Sequence, residues 1–367
     1  MKTIRADEYC KFVTDGTHDS PKQVDRGRKL ITSKHLGRYG IDFENAKNIS
    51  ESDYQKVVSR SKVEQWDILF SMIGTIGNLY LERNHKIEYA CKNMGIFQLG
   101  GDESKAKWLY YYLQTPKAKE YIETSGRGTT QSYVPLAALR ALPVDVVDDF
   151  TRDKIIKILW DIDEKILTNQ QVNENLFNQA QAIYQQHFVT EANPDWPLGH
   201  LTDLIDVKYG KDHKKLADGT YPVYGSGGIM RYVERPLYEK ESVLIPRKGT
   251  LNNVMYVNQP FWSVDTMFYT EMKQANVAKF VYHYVKSKDL ASMNAGSAVP
   301  SMTTAILNAM ELRIPSEEAL LQFENSVAPM YEMINKNEDQ SRKLAELRDA
   351  LLPKLMSGEV DVSELDL

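Results

Sequence analysis

The chain has 367 residues, with 45 Lys and Arg against 50 Asp and Glu, a formal net charge of −5, and 42% hydrophobic residues. That is the balance of a soluble globular chain long enough for two or three domains, and it argues against a uniformly basic nucleic-acid coat or a disordered polyelectrolyte. There is no apolar run of membrane-spanning length and no apolar signal core in MKTIRADEYC, so a cytoplasmic location without a membrane partner is expected; Cys10 and Cys91 read as buried reduced thiols.

In chain order, residues 1–147 form a first block. It holds a basic cluster, Lys22, Arg26, Arg28, Lys29, Lys34 and Arg38 against Asp25 alone, while acidic residues gather at 145–153 and 359–366. Such a cluster suits phosphate contact, although most charge runs are only a solvated face. Trp66 to Ile73 reads as a strand closed by Gly74, and Ala106 to Thr115 as a helix with Trp108 and Tyr112 on one face. Residues 148–191 carry a helical stripe through Ile155, Ile158, Ile162, Ile166, Val172, Leu176, Ala180 and Ile183. After Asn193-Pro194, a second block covers 192–315, opening with Trp196 and a smaller basic cluster at Lys208, Lys211, Lys214 and Lys215. Ser242 to Ile245 reads as a strand and Ala278 to Ser287 as a helix. A second stripe then fills 316–367 through Leu320, Phe323, Val327, Met330, Ile334, Leu344, Leu347, Leu351 and Leu355, before an acidic tail.

The blocks repeat one another. ILFSMIGT (Ile68 to Thr75) answers VLIPRKGT (Val243 to Thr250), AKWLYYYL (Ala106 to Leu113) answers AKFVYHYV (Ala278 to Val285), and GTTQSYVPLAAL (Gly128 to Leu139) answers GSAVPSMTTAIL (Gly296 to Leu307). Three matches in one order, each followed by a long helix, indicate a tandem duplication. The expected fold class is α+β: two mixed α/β heads separated by a pair of long antiparallel helices, a coiled coil, with pseudo-two-fold symmetry. Asn169 and Asn337 interrupt the stripes, either as buried amides that fix register or as solvated mid-helix residues. At 1.5 Å per residue, roughly 38 helical residues span roughly 57 Å.

The order and duplication of these segments resemble the DNA-specificity subunit of Type I restriction-modification systems. The resemblance rests on FVTDGTHDSPK (Phe12 to Lys22), LITSKHL (Leu30 to Leu36), WDILFSMIGTIG (Trp66 to Gly77), YPVYGSGGI (Tyr221 to Ile229), RKGTLNNV (Arg247 to Val254) and LRDALLPKLMSGEV (Leu347 to Val360). It implies that each head is a target-recognition domain reading one half of a split sequence in double-stranded DNA. It further implies that the helices dock two modification (methyltransferase) subunits, with restriction and translocase subunits in the full complex, that chemistry lies in those partners, and that no cofactor is held here. One departure is that the first head lacks the tryptophan-led entry that Trp196 gives the second.

Base edges are read by side chains that donate and accept: Arg to guanine, Asn or Gln to adenine, Ser and Thr to either. The loop residues that fit are Thr17, His18, Lys22, Ser33, Lys34, His35, Arg38, Tyr39, Arg127, Thr129 and Gln131 in the first head. Their counterparts in the second are Lys211, His213, Lys214, Tyr224, Ser226, Arg231, Tyr232, Arg247, Lys248, Asn252 and Asn253. Residues of these types also fill turns bonded to their own backbone. Helix-pair packing is expected from Ile155, Ile162, Ile166, Leu176, Ile183, Val327, Ile334, Leu344 and Leu351. Heads related by a two-fold face a duplex with opposite strand polarity, and roughly 57 Å parallels roughly 17 base pairs, so two different short half-sites with an unread spacer fit.

Catalytic readings are weaker. NPDW (Asn193 to Trp196) lacks the second proline of an adenine-methyltransferase tetrad, and Asp265, Glu271 and Lys273 imitate a nuclease spacing without further support. No glycine set has a nucleotide-binding setting. The other reading is a non-catalytic coiled-coil scaffold that spaces two protein-binding heads; salt-sensitive duplex binding separates the two.

Overall fold

The computed structural model describes residues 2–127, 132–293 and 301–365. They form two compact units, Met1–Gln170 with Glu338–Leu367, and Gln171–Asn337. The first contains β1 (Lys2–Arg5), α1 (Ala6–Tyr9), β2 (Phe12–Asp15), β3 (Arg28–Ile31), β4 (Lys47–Ile49), α2 (Glu51–Ser61), β5 (Ile68–Ser71), β6 (Leu79–Leu81), β7 (Tyr89–Cys91), β8 (Met94–Gln98), α3 (Glu103–Tyr112), α4 (Pro116–Ser125), α5 (Leu136–Ala141) and β9 (Pro143–Val146), then enters α6 (Asp149–Gln185). Helix starts follow local chemistry: the side chains of Ser50, Asp102 and Thr115 accept from the backbone N–H three residues on, and Pro116 takes the first turn of α4.

The second unit takes over α6 and continues through β10 (Leu198–His200), α7 (Leu201–Leu204), β11 (Ile205–Tyr209), β12 (Asp218–Gly225), β13 (Gly228–Val233), β14 (Ser242–Pro246), β15 (Met255–Val257), β16 (Trp262–Ser263), β17 (Met267–Met272), α8 (Ala278–Lys286), α9 (Thr304–Asn308), β18 (Glu311–Arg313) and into α10 (Glu317–Ser357). No helix among the described residues is long and apolar enough to cross a membrane.

The duplication is written in the sheets. A four-stranded sheet of order β2-β8-β5-β6 in the first head is matched by β11-β17-β14-β15 in the second. A three-stranded sheet, β4-β3-β7, is matched by β13-β12-β16, each with one parallel pair, β3 with β7 and β12 with β16. In both heads the first and last strands close on each other, β1 with β9 and β10 with β18. Among the described residues, helices α2 and α4 have no partner in the second head. Side chains alternate across the central strand as period-two geometry requires: Ile68 and Phe70 pack toward α3 and the long helices, Leu69 toward the smaller sheet; Val243, Ile245 and Leu244 divide the same way.

Within each unit the long helical segments run antiparallel. In the first, Ile155, Ile156 and Leu159 of α6 share a core with Leu352, Leu355 and Met356 of α10, and Asn169 donates to Gln340 at 2.9 Å and Ser341 at 3.1 Å. In the second, Ala180 and Tyr184 pack with Leu320, Phe323, Val327 and Tyr331, and Asn337 donates to Asn173 at 2.8 Å. Asn169 is thus a buried amide bonded across the pair, and Asn337, half-buried, bonds across it to Asn173. Ile155, Ile166 and Val327 are buried; Ile162, Leu176, Ile183, Ile334, Leu344 and Leu351 are half-buried. The expected stripe is displaced in two places: Val172 and Leu347 are exposed. The inward seat beside Leu347 belongs to Arg348, only 4% exposed, because Asp163 waits for it across the pair.

Candidate nucleic-acid interface

Each head gathers its polar loops by the same backbone scheme. At the end of β2 and of β11, Gly16 and Gly210 donate to Met94 and Met267, and Thr17 and Lys211 donate to Cys91 and Ser263. Where β3 and β12 end, Lys92 donates to the carbonyl of Ile31 and Val264 to that of Tyr224, which puts Ser33 and Ser226 in equivalent seats. The loops after β5 and β14 turn at Gly74 (φ 82°) and Gly249 (φ 87°), a left-handed conformation that glycine adopts without strain. A Cβ on Gly74 would lie 3.7 Å from Ser33 Oγ and one on Gly249 would lie 2.7 Å from Ser226 Oγ. Ile73 then bridges Tyr133 and Lys248 bridges Ser301, with Val134 and Met302 donating to Met72 and Arg247. One loop constellation is therefore built twice and carries different side chains.

In the second head the scheme unites most of the expected residues. Asn253 Nδ2 donates to Ser226 O at 2.8 Å; Arg247 lies over the Tyr209 ring at 5.4 Å and gives one N–H to Asp265 O at 3.1 Å. Lys211, Lys214 and Lys248 are exposed, and their ammonium groups make no hydrogen bond or ion pair among the described residues. Tyr232 is 37% exposed, and the Tyr224 hydroxyl accepts from Gln259 at 3.4 Å. Two members are engaged by their own head. Arg231 donates to Leu216 O at 2.9 Å and pairs with Asp218 at 2.8 Å, and Asn252 bonds Asp289 at 3.1 Å and Ala291 N at 3.0 Å. His213 is half-buried with Nδ1 unpartnered. Glu271 and Lys273 of the nuclease-like spacing are spent on Lys208 and Asp206, and no group of three or more His, Cys, Asp or Glu that could hold a metal occurs among the described residues.

The first head departs further from expectation. Lys22, Lys34 and Arg127 are exposed and Ser33 half-buried, with Arg127 bridged to Tyr133; Thr129 and Gln131 lie outside the described residues. His18 is exposed but bonded to Asp15 at 2.9 Å and Asn93 at 3.0 Å. Thr17 is buried, its hydroxyl accepting from Asp19 N. His35 is buried too: Nδ1 accepts from Thr32 N at 3.0 Å, and burial lowers the imidazole pKa, so it shapes its own turn. Arg38 and Tyr39 belong to the helix pair. Tyr39 donates to Asp163 at 2.8 Å, Tyr111 donates at 2.9 Å, Arg348 pairs at 2.6 Å, and Arg38 approaches at 3.5 Å. A buried carboxylate needs this many donors, and it engages both half-buried residues. Asp67, in the WDILFS segment, is likewise structural. It accepts from Glu64 N and Leu99 N, and burial pushes its carboxyl up to about 7.

The sequence model of the Type I restriction modification DNA specificity domain matches residues 22–177 and 193–326, one copy for each head. The chain belongs to that family. Among its relatives, the specificity subunit of the Type I restriction enzyme MjaIX of Methanocaldococcus jannaschii is 22% identical over 382 residues, covering 91% of this chain and 87% of that one. The specificity subunit of the HindI enzyme of Haemophilus influenzae is 19% identical over 416 residues, covering 82% and 88%. The crystal structure of a Type I S subunit from M. genitalium shares the fold, with a TM-score of 0.56 at 18% identity over 96% of this chain and 95% of that one. In this specificity chain, sequence reasoning missed the Asp163 cluster and the alignment of Asp15-Gly16-Thr17 with Tyr209-Gly210-Lys211. Only the glycine is shared in that last pair, and its signal is a backbone one.

Proposed function

We propose that this chain is the non-catalytic specificity subunit of its complex, that residues 1–147 and 192–315 each read one half of a split asymmetric site in double-stranded DNA, and that the segments 148–191 and 316–367 dock two modification subunits. Restriction and translocase subunits join the same assembly, which works in the cytoplasm, and this chain brings no cofactor of its own. The relatives named above are specificity subunits of Type I restriction enzymes. The observation that carries the bipartite reading is the doubled loop constellation: two backbone frames built on the same hydrogen bonds present unlike side chains, as two unlike half-sites require. The DNA-facing set is Lys22, Ser33, Lys34 and Arg127 in the first head, and Lys211, Lys214, Tyr224, Ser226, Tyr232, Arg247, Lys248 and Asn253 in the second. His18, His213 and Asn252 stand at its margin. The test is methylation mapping of genomic DNA from cells that express this chain with the modification subunit encoded beside it, against cells lacking only this chain. A split motif, modified on both strands, that vanishes with the chain is the expected result; a methylation pattern indifferent to the chain refutes the proposal.

A further inference from the structure

Around the glycine pivot the two heads carry their positive charge in different seats. Residue by residue through the shared hydrogen bonds, Ser33-Lys34 corresponds to Ser226-Gly227, and Met72-Ile73 corresponds to Arg247-Lys248. In the first head the cation follows the serine, and the loop after β5 is apolar, with Met72 only 4% exposed and Ile73 packed against the core. In the second the serine is followed by glycine, and the cations sit one loop away. Each head thus has a cation on one side of the pivot and none on the other.

Arg247 is also oriented. Its guanidinium lies over the ring of Tyr209, which is 52% exposed, and one of its five N–H groups is held by Asp265 O, so the others are left to an incoming acceptor pair. A planar cation fixed on an exposed aromatic at a loop rim is prepared for the two acceptors that guanine presents in the major groove. Lys34 is an exposed point charge in the turn 33–35, without that fork.

We infer that Arg247 is the specificity-determining residue of the second head, selecting a guanine in its half-site, and that Lys34 holds the corresponding role in the first head from the opposite side of the pivot. This rests on the DNA-reading function proposed above. The geometry of the second head then favours one sharply defined guanine, and that of the first a weaker preference.

The experiment maps methylation by the assembled complex containing the wild-type chain, Arg247→Ala, Arg247→Lys or Lys34→Ala. The expected result is that Arg247→Ala lowers discrimination about 5- to 150-fold at one guanine of one half-site and leaves the other half unchanged. Arg247→Lys keeps methylation but loses most of that discrimination, since charge without the fork cannot bind in bidentate fashion. Lys34→Ala relaxes a position in the other half. Should Arg247→Ala melt early, Arg247→Lys carries the test on its own. An unchanged motif in both Arg247 variants, or Arg247 and Lys34 variants that alter the same half, overturns the inference while the bipartite function stands. A wild-type complex with no chain-dependent motif overturns both.

Discussion

The cluster around Asp163 gives a sharp test of how the first unit holds its helices. Asp163 and Arg348 have side chains only 8% and 5% exposed, 2.6 Å apart, with two tyrosine hydroxyls and Arg38 completing the shell. Replacing Arg348 by Leu removes the closest cation and leaves a buried carboxylate with two neutral donors and one distant guanidinium. Breaking one partner of such a pair costs about 3–5 kcal/mol, whereas replacing both by apolar groups of similar volume is often close to neutral. Arg348→Leu should therefore lower stability by about 3–5 kcal/mol and Asp163→Leu by less, because Arg348 keeps Asp349 at 2.8 Å, and the double variant should lose less than their sum by at least about 2 kcal/mol. Because a chain of two units need not unfold in one step, the readout is hydrogen exchange resolved to peptides from residues 149–170 and 338–357, alongside denaturant titration by circular dichroism. Single variants within about 1 kcal/mol of the parent, or strictly additive losses, would refute the account of Asp163 as a buried anchor.

Three further outcomes follow from single sites. His283 is fully buried, stacked between Phe177 and Tyr184, bonded to Gln181 and Tyr331, and held neutral because burial lowers its pKa to about 4 from 6.5. The unfolded chain takes up a proton below pH 6.5 that the folded one refuses until about 4, so stability is full above 6.5 and declines by about 3 kcal/mol across that window. His283→Gln should flatten this slope in denaturant titrations at stepped pH. Asn169→Ala removes the bonds to exposed Gln340 and half-buried Ser341 and should cost about 0.5–1.5 kcal/mol, read as faster exchange in the middle of α6. Gly249→Ala forces an L side chain into φ 87° against Ser226 Oγ, and a loss of about 1–2 kcal/mol in thermal unfolding is expected, smaller in a Ser226→Ala background.

Much of the fold could be read before the structure. The strands at 68–71 and 242–246 and the helices at 103–112 and 278–286 stood out because apolar side chains recur at the spacing of the element, and each run stops at a turn residue. The third repeat match holds in register as well, since Tyr133 and Ser301 occupy the same bridge. What escaped was polar. Arg348 occupies an inward seat that a hydrophobic stripe skips, and its partners lie at 39, 111 and 163, far apart in the chain. For the same reason Arg38 and Tyr39 looked like surface readers: a loop rich in cations and hydroxyls gives no sign of whether a buried carboxylate is waiting for it. Thr17 and His35 face inward for a different reason: each side chain accepts a nearby backbone N–H, from Asp19 and from Thr32.

The repeat also shows where a head can be exchanged. Tyr111 and His283 hold the same position in AKWLYYYL and AKFVYHYV, and each is the polar bolt between its head and its helical segments. Tyr111 gives its hydroxyl to Asp163 of α6; His283 meets Gln181 of α6 and Tyr331 of α10. The neighbours Tyr112 and Tyr284 both donate to the backbone of the closing strand, at Pro143 and Glu311. The duplication therefore preserved the backbone anchor and replaced the bolt, so each head now fits its own helices. A graft cut near Phe150 takes Tyr39 and Tyr111 away but leaves Asp163 and Arg348 behind, and a donor head without hydroxyls at those positions leaves that ion pair short of two donors. Such a graft should lose about 1–3 kcal/mol for the unsatisfied carboxylate oxygens. A graft that carries residues 1–170 together with 338–367, one compact unit, should keep parental stability and change only one half of the methylated motif. Equal stability of the two grafts in denaturant titration, with a donor lacking both hydroxyls, would show that the bolt contributes nothing and that heads are interchangeable at the helix start.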